Sequence, residues 1–175
     1  MRNFILLVVV SIFTFSCDVP AKQEAEMERA PGFLRAGGEQ INASDASPEN
    51  LDIWDKYIDA HNNRDLELIA SMNIDSTQMG KFRILAPNGQ VIRGSDTQIE
   101  FLKGWFEAEN PTWRTYFSYS MKLEGQNGEW VISGAEVKKT VDGKEVTTYD
   151  VADVYIENGK IGAFWVYQRA AVPTE

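Results

Sequence analysis

The chain has 175 residues, of which 43% are hydrophobic and 11% aromatic, so it can bury the core of one domain and is not globally disordered. Its formal net charge of -9 makes nucleic-acid binding and electrostatic docking on anionic lipids unexpected. One cysteine cannot form an intramolecular disulfide and one histidine cannot build a histidine metal cluster, so the sequence predicts no metal site and no cofactor.

The chain begins with a segment typical of an export signal. Arg2 supplies a positive start, and residues 4–15 form an apolar run that is too short to span a bilayer as a helix. The run leads to Ser16 and Cys17, which resembles a bacterial lipobox, with Thr14 at the position where leucine is usual. This resemblance implies that residues 1–16 are a lipoprotein signal peptide and that acyl chains such as palmitate are attached to Cys17. The protein would then be lipid-anchored in the bacterial cell envelope, in a membrane that the sequence does not identify.

Two alternatives to the lipoprotein interpretation remain. Cleavage after Ala21 would release a soluble protein without Cys17, or Cys17 is an ordinary residue of the apolar segment. Residues 17–46 are predicted to form the acylated cysteine and a flexible tether, because they are rich in small and charged residues and their apolar side chains are scattered. The folded domain is predicted over residues 47–172.

Three helices are predicted next. Ser47 and Pro48 form a typical helix start, and Asn62 to Arg64 should end that first helix. Asp65 can cap a short second helix, and Ser95 with Gln98 has the form of a capping box that opens a third. The apolar positions at helical spacing are Leu51, Trp54, Ile58 and His61 in the first helix, Leu66, Ile69 and Met72 in the second, and Ile99, Leu102, Trp105 and Phe106 in the third.

Strands dominate the remainder of the chain. Residues 81–85 and 90–93 flank Pro87-Asn88-Gly89, which predicts a hairpin between the second and third helices. Residues 113–123 alternate between apolar and polar side chains, and turns of the Asn-Gly or Asp-Gly type separate them from strand candidates at 129–139, 144–157 and 160–168. Helices followed by a four-stranded meander indicate an α+β domain.

Two segments resemble nuclear transport factor 2-like (SnoaL-like) domains. Residues 57–67 resemble the Y-x-x-A-x-N-x-x-D-L-E stretch that ends the first helix of that family, and residues 156–161 with Trp165 resemble its closing hairpin. Gly94 before the third helix also matches. The resemblance covers about residues 48–170 and implies a cone-shaped, curved antiparallel sheet packed against three N-terminal helices, with a pocket at the wide end. It also implies frequent homodimers through the convex side of the sheet, and no single chemistry.

The pocket of such a domain often carries a carboxylate or histidine that moves protons. The family often has Asp at the position of Ala152 and His at the position of Phe164, which counts against a cyclase-like activity. Asp153 is one residue late, and alternation places it on the opposite face unless a bulge intervenes. Asp150 shares the parity of Ala152, so it is the better inward candidate, although a structural or solvated role is the plainer interpretation.

His61 lies on the apolar stripe of the first helix, where it is either a packed filler or a group that contacts a ligand or moves a proton. The candidate pocket residues are Trp54, Ile58, His61, Trp105, Asp150 and Phe164. An aromatic wall for a flat ligand could include Trp54, Trp105, Trp113 and Trp165, and hydrogen bonds into the pocket could come from Tyr116, Tyr149 or Tyr155, although core packing explains these residues equally well.

The leading hypothesis is a non-enzymatic module, or one of unassigned activity, that is displayed on a membrane by its lipid and whose cone binds a small apolar molecule or a partner protein. The rival hypothesis is a cofactor-free lyase, cyclase or isomerase that uses Asp150, with or without His61, as acid or base. The third hypothesis is a purely structural dimer in which side chains fill the cone and leave no cavity large enough for a ligand. The first two are distinguished by whether Asp150 and His61 both enter one enclosed cavity within reach of a common ligand atom.

Overall fold

The structure is a computed structural model that describes residues 32–171; the predicted signal peptide, Cys17 and the first part of the predicted tether lie outside the described residues. Three helices pack on a large curved sheet, as predicted for an α+β cone. The helices are α1 (Glu49–Asn62), α2 (Leu66–Met72) and α3 (Ser95–Glu109). The strands are β1 (Gly32–Ala36), β2 (Glu39–Asp45), β3 (Ser76–Thr77), β4 (Gly80–Lys81), β5 (Arg83–Leu85), β6 (Val91–Arg93), β7 (Thr112–Leu123), β8 (Glu129–Val141), β9 (Lys144–Glu157) and β10 (Lys160–Ala170).

The main sheet has eight strands in the order β1-β2-β7-β8-β9-β10-β5-β6, and β3 and β4 pair separately. Strands β7 to β10 form the predicted antiparallel meander. The turns after β8 and β9 place Asp142-Gly143 and Asn158-Gly159 at positive φ, as tight hairpin turns with the right-handed sheet twist require. The sheet is mixed and not wholly antiparallel, because β5 runs parallel to β10.

The structure corrects the prediction that residues 17–46 are a flexible tether throughout. Strands β1 and β2 form a hairpin, and Ala43 to Asp45 pair with Leu123 to Met121 of β7, which adds this hairpin to the edge of the sheet. The scattered apolar residues explain the error, because Leu34 opposite Ile41 is the only pair of large apolar side chains across the hairpin, and both are partly buried. A two-stranded hairpin with so little apolar contact is stable only when it extends a larger sheet.

The end of α1 and the start of α2 agree with the sequence, whereas α1 begins at Glu49, one residue later than predicted, with Pro48 and not Ser47 as its N-cap. Asn62 ends α1, and the carboxylate of Asp65 accepts the N–H of Leu68 at 2.9 Å as the predicted cap of α2. The predicted capping box at α3 is wrong, because Gly94 precedes that helix at φ +85° and the side chain of Gln98 is buried elsewhere. Glycine is needed at this φ, which other residues rarely adopt.

The core lies between the helices and the concave face of the sheet. It contains residues from α1, α2 and α3 together with inward side chains of β8, β9 and β10, including Trp54, Leu102, Val131, Val154 and Phe164. No helix in the described range is both long and apolar enough to cross a membrane.

The convex face of the sheet carries large side chains that no helix of the described range covers. Residues with a large exposed fraction there are Tyr116 (47%), Phe117 (39%), Tyr119 (52%) and Tyr167 (56%). The rings of Tyr116 and Phe117 close over Gly134, where a Cβ atom would collide with both. This face is therefore aromatic and uncovered within residues 32–171.

Candidate functional site

A cavity of about 620 Å³ opens between the helices and the concave face of the sheet. Helices α1 and α3 form one wall, strands β8 to β10 form the other, and the tip of the β5–β6 hairpin closes one side. The volume is within the range of small-molecule sites in proteins. The hollow exists because small side chains occupy the middle of the sheet wall, where Ser133 pairs with Ala152 and Ala135 pairs with Asp150 across β8 and β9.

All the pocket residues named from the sequence line this one cavity. The set comprises Trp54, Ile58, His61, Trp105, Asp150 and Phe164. Trp113 also lines it, but Trp165 lies on the other face of the sheet, with its ring 5.5 Å from that of Trp130. None of Tyr116, Tyr149 and Tyr155 is in the lining, and the buried hydroxyl of Tyr155 accepts the N–H of Gly128 at 2.8 Å instead.

Aromatic rings cover most of the helical wall. Trp54 meets Phe164 edge-on with ring centroids 5.7 Å apart, which joins α1 to the sheet. The ring centroid of Trp105 lies 5.4 Å from that of Trp113 and 5.6 Å from that of Phe101. A second cluster of aromatic rings therefore lies along the C-terminal half of α3. Such rings offer flat apolar surfaces to a ligand.

His61 is buried, with only 6% of its surface exposed. Its Nδ1 lies 2.7 Å from the carbonyl oxygen of Tyr57, so Nδ1 carries the proton that is donated and Nε2 is the acceptor in the neutral ring. Burial lowers the pKa of His61 to about 4, and the nearby Arg64 acts in the same direction. No group of residues 32–171 hydrogen-bonds Nε2. His61 is therefore a neutral imidazole that can accept a hydrogen bond and is a weak base.

Three buried side chains at the base of the cavity form a closed ring of hydrogen bonds. The hydroxyl of Tyr57 donates to Asn73 Oδ1 at 3.0 Å and accepts from Gln98 Nε2 at 2.6 Å, while Asn73 Nδ2 donates to Gln98 Oε1 at 2.7 Å. Burial raises the pKa of Tyr57, so its hydroxyl keeps its proton. The ring joins α1, the end of α2 and α3, and it fixes the helical wall.

Asp150 lines the cavity and is partly buried. Its Oδ1 accepts from Gln168 Nε2 at 2.9 Å and, more weakly, from Thr148 Oγ1 at 3.5 Å. Burial raises the pKa of Asp150 above its ordinary value, because desolvation outweighs these hydrogen bonds. Asp153 is not in the lining, as the alternation of side chains along β9 requires.

An ion pair crosses from α3 to the sheet at the edge of the cavity. Lys139 Nζ lies 2.7 Å from Glu109 Oε2, and the same oxygen accepts the indole N–H of Trp105 at 2.8 Å. The hydrogen bond from Lys139 lowers the pKa of Glu109. The two charges thus neutralise one another and hold the end of α3 against β8.

The indole N–H of Trp54 is buried and has no hydrogen-bond acceptor within residues 32–171. Buried donors are normally paired, so this unpaired N–H group lowers the stability of the wall near Phe164 relative to a wall in which every buried donor has an acceptor. The described residues contain no group of three or more acidic, histidine or cysteine side chains placed to hold a metal ion.

Sequence reasoning missed three contributors to the site. Gln98 was assigned to a helix cap, and the pairing of Glu109 with Lys139 joins residues 30 positions apart, which no local pattern predicts. The small residues Ser133 and Ala135 could have been found, since both share a face with the cavity wall in the alternation of β8.

Comparison with known proteins gives a fold and no activity. No family model matches the sequence, and no curated protein matches it either. Solved structures that resemble the chain include a candidate SnoaL-like polyketide cyclase from Jannaschia sp. CCS1, at 17% identity and a TM-score of 0.56, covering 71% of this chain and 90% of that one. An LEH-like epoxide hydrolase from M. tuberculosis gives 12% identity and a TM-score of 0.56, covering 69% and 83%.

A protein of unknown function from Burkholderia pseudomallei K96243, described as nuclear transport factor 2-like, gives 18% identity and a TM-score of 0.53, covering 70% of this chain and 92% of that one. The chain therefore has the nuclear transport factor 2-like fold that SnoaL-like proteins share. Proteins with this fold perform different reactions or none that is known, so its activity must be argued from the cavity.

Proposed function

From this fold and its lined cavity, we propose that the protein binds a small, largely apolar molecule between α1, α3 and the concave face of the sheet. The observation that carries the proposal is the cavity of about 620 Å³ with an aromatic helical wall and small residues at the centre of its sheet wall. Larger side chains at Ser133, Ala135 and Ala152 would reduce its volume. A cavity of this size suits a small ligand better than a protein segment.

The site favours binding over catalysis. The positions that carry acid or base groups in many SnoaL-like proteins hold Ala152 and Phe164, both buried in the cavity wall. His61 is a weak base, since burial lowers its pKa to about 4, well below neutral pH. What remains is an apolar pocket with a few hydrogen-bonding groups, which is the usual composition of a binding site.

Cavity-filling variants test this proposal. The double variant Ala135→Leu/Ala152→Leu places two larger side chains on the sheet wall, and Ala36→Leu/Ala170→Leu is the matched control at two exposed strand positions. The neutral fluorescent probe N-phenyl-1-naphthylamine should bind the purified protein and the control saturably, and at least tenfold more weakly to the cavity variant. Equal binding by the two variants would place the probe elsewhere and contradict the proposal.

A second candidate function is a cofactor-free lyase, cyclase or isomerase that uses Asp150 as the base, with or without His61. Two observations favour it: both residues line one cavity, and burial raises the pKa of Asp150, which makes its carboxylate a stronger base. The bicyclic ketone 2-tetralone, which has acidic α-hydrogens, should then exchange them for deuterium faster with protein than without it. Exchange that persists in Asp150→Asn would remove the assigned base.

The module would be displayed on a membrane through acyl chains on Cys17. The apolar run at residues 4–15 and the single cysteine immediately after it support this assignment. In a bacterial expression host, labelled palmitate should be incorporated into the protein and should be absent from Cys17→Ser. Incorporation without Cys17, or a soluble product cleaved after Ala21, would contradict the anchor.

The convex face of the sheet would hold a second copy of the chain. Its exposed aromatic residues form one patch, and residues of both charges lie on the same face, with Arg114 Nη2 3.1 Å from Glu136 Oε2 and the Arg169 guanidinium 4.3 Å from the centre of the Tyr149 ring. A two-fold interface needs one surface that complements itself, and a patch with both charge signs beside apolar rings meets this need.

A further inference from the structure

The charges that line the cavity are unequal. Three charged side chains of the described range contribute to its surface, the carboxylates of Glu109 and Asp150 and the ammonium of Lys139, so the lining has a net charge of -1. No arginine is part of this lining. The only cationic group of this lining is paired with Glu109, because Lys139 Nζ lies 2.7 Å from Glu109 Oε2. The charge of Lys139 also lowers the pKa of Asp150, but no hydrogen bond joins the two side chains.

The carboxylate of Asp150 is only half satisfied. Its two side-chain hydrogen bonds, from Gln168 and Thr148, both end at Oδ1. No donor among residues 32–171 reaches Oδ2. A carboxylate has about four acceptor positions, and Oδ2 of Asp150 is open to the cavity and is not a buried atom. The cavity therefore presents a carboxylate oxygen that is free to accept a hydrogen bond from a ligand.

The neighbourhood of Asp150 also suits a positive charge. Trp105, Trp113 and Phe101 line the same cavity, and the faces of aromatic rings attract cations. His61 is buried and neutral, and its free Nε2 accepts hydrogen bonds, so it gives no attraction to an anion. A ligand carboxylate would meet two protein carboxylates and no unpaired cation.

We propose that the natural ligand is a lipophilic amine, with its ammonium group on Oδ2 of Asp150 and its apolar body against the aromatic wall. This inference rests on the proposed binding function and names the class of ligand. The same charge balance disfavours fatty acids and other lipophilic anions. Neutral molecules of similar shape bind through the aromatic wall alone and therefore more weakly.

Three probes with one ring system test the inference: 2-(1-naphthyl)ethylamine, 2-(1-naphthyl)ethanol and 1-naphthaleneacetate. Isothermal titration calorimetry of the purified protein at pH 7 should show that the amine binds at least tenfold more tightly than the alcohol and that the acetate binds most weakly. In Asp150→Asn, which keeps the shape and the bond from Gln168, the amine should lose its advantage over the alcohol.

Asp153→Asn is the matched control, since Asp153 lies three residues along the same strand, is also partly buried and is absent from the cavity lining. It should retain the preference for the amine. Equal binding of the amine and the alcohol to the wild-type protein would overturn the inference while leaving the binding function in place, as would a preference that survives in Asp150→Asn. Failure of all three probes to bind would overturn the binding function as well.

Discussion

Nδ1 of His61 lies 2.7 Å from the carbonyl oxygen of Tyr57, one helical turn earlier in α1, and this contact fixes which nitrogen of a buried imidazole carries the proton. The consequence is a ring that stays neutral under physiological conditions and turns its acceptor nitrogen away from the helix backbone. Protonation would place a charge beside Trp113 and Phe106 and close to Arg64, which burial makes unfavourable.

This burial predicts a pH-dependent stability. Above pH 6.5 the imidazole is neutral in both the folded and the unfolded chain, so its contribution to stability is complete. Between pH 6.5 and about 4 the unfolded chain binds a proton that the folded protein does not, so stability falls as the pH falls, by roughly 3 kcal/mol over the whole interval. Urea denaturation gives the unfolding free energy of the wild type and of His61→Phe. The wild-type value minus the variant value should decrease as the pH falls over this range.

Carboxyl groups titrate in the same region, so the difference between the two proteins is the informative quantity. His61→Gln repeats the measurement if phenylalanine overfills the site. A difference that does not change between pH 7 and pH 4.5 would mean that the histidine is solvated or already charged in the folded protein.

The hydrogen-bond ring of Tyr57, Asn73 and Gln98 predicts a large effect from one oxygen atom. Tyr57→Phe leaves Asn73 Oδ1 and Gln98 Nε2 buried without that partner, which should lower the free energy of unfolding by about 1–3 kcal/mol. Tyr119→Phe removes a hydroxyl from an exposed side chain and should change the free energy of unfolding little. Similar values for the two variants in chemical denaturation would show that the ring is not formed in solution.

Asn62 acts as a substitute strand partner at the edge of β7. Its Nδ2 donates to the carbonyl of Trp113 at 2.9 Å, and its Oδ1 accepts the N–H of the same residue at 2.8 Å. Asn62→Ala removes both bonds and should destabilise the protein by about 1–3 kcal/mol, whereas Asn63→Ala changes an exposed neighbour and should be close to neutral. Thermal and urea unfolding of both variants measure the change in unfolding free energy. Equal stability of the two variants would show that Asn62 does not stabilise the edge of β7.

The proposed dimer predicts a change in mass. Sedimentation equilibrium should give a dimer for the wild type and a monomer for Tyr119→Glu/Tyr167→Glu, because the substitutions place carboxylates in the aromatic patch. The matched double variant Glu67→Gln/Glu100→Gln alters exposed helix residues and should remain dimeric. A wild-type monomer, or a dimer that survives in the glutamate variant, would locate the interface elsewhere or remove it.

The meander and the ends of α1 and α2 could be predicted from the sequence because their signals are local. The Asp142-Gly143 and Asn158-Gly159 turns and the alternation along β7 to β10 depend on neighbours in the chain, and so does the cap at Asp65. The turn predicted at Asn127-Gly128 is wrong, because the positive φ between β7 and β8 lies at Gly125. The hairpin β1–β2 was missed for the opposite reason: what orders it is pairing with β7, about 80 residues later in the chain. Its own sequence carries little apolar signal.

In the site, too, local sequence signals predicted some residues, and long-range contacts left others unpredicted. Parity along β9 was enough to place Asp150 and Ala152 on the cavity side, and helical spacing was enough for Trp54 and His61. The role of Gln98 could not be predicted, since its partners Tyr57 and Asn73 lie 41 and 25 residues away and the pattern around Ser95 favoured a cap. Trp165 was placed among the wall candidates on residue type, although its position is one residue out of phase with Phe164.

The central claim is that a small apolar molecule binds in the concave cavity, and the five tryptophans offer the most direct test. Trp54, Trp105 and Trp113 line the cavity, whereas Trp130 and Trp165 contact each other on the opposite face. In ¹H–¹⁵N spectra, addition of N-phenyl-1-naphthylamine should shift the indole resonances of the first three tryptophans and leave the other two in place. Shifts confined to Trp130 and Trp165, or no shifts at saturating probe, would contradict the account.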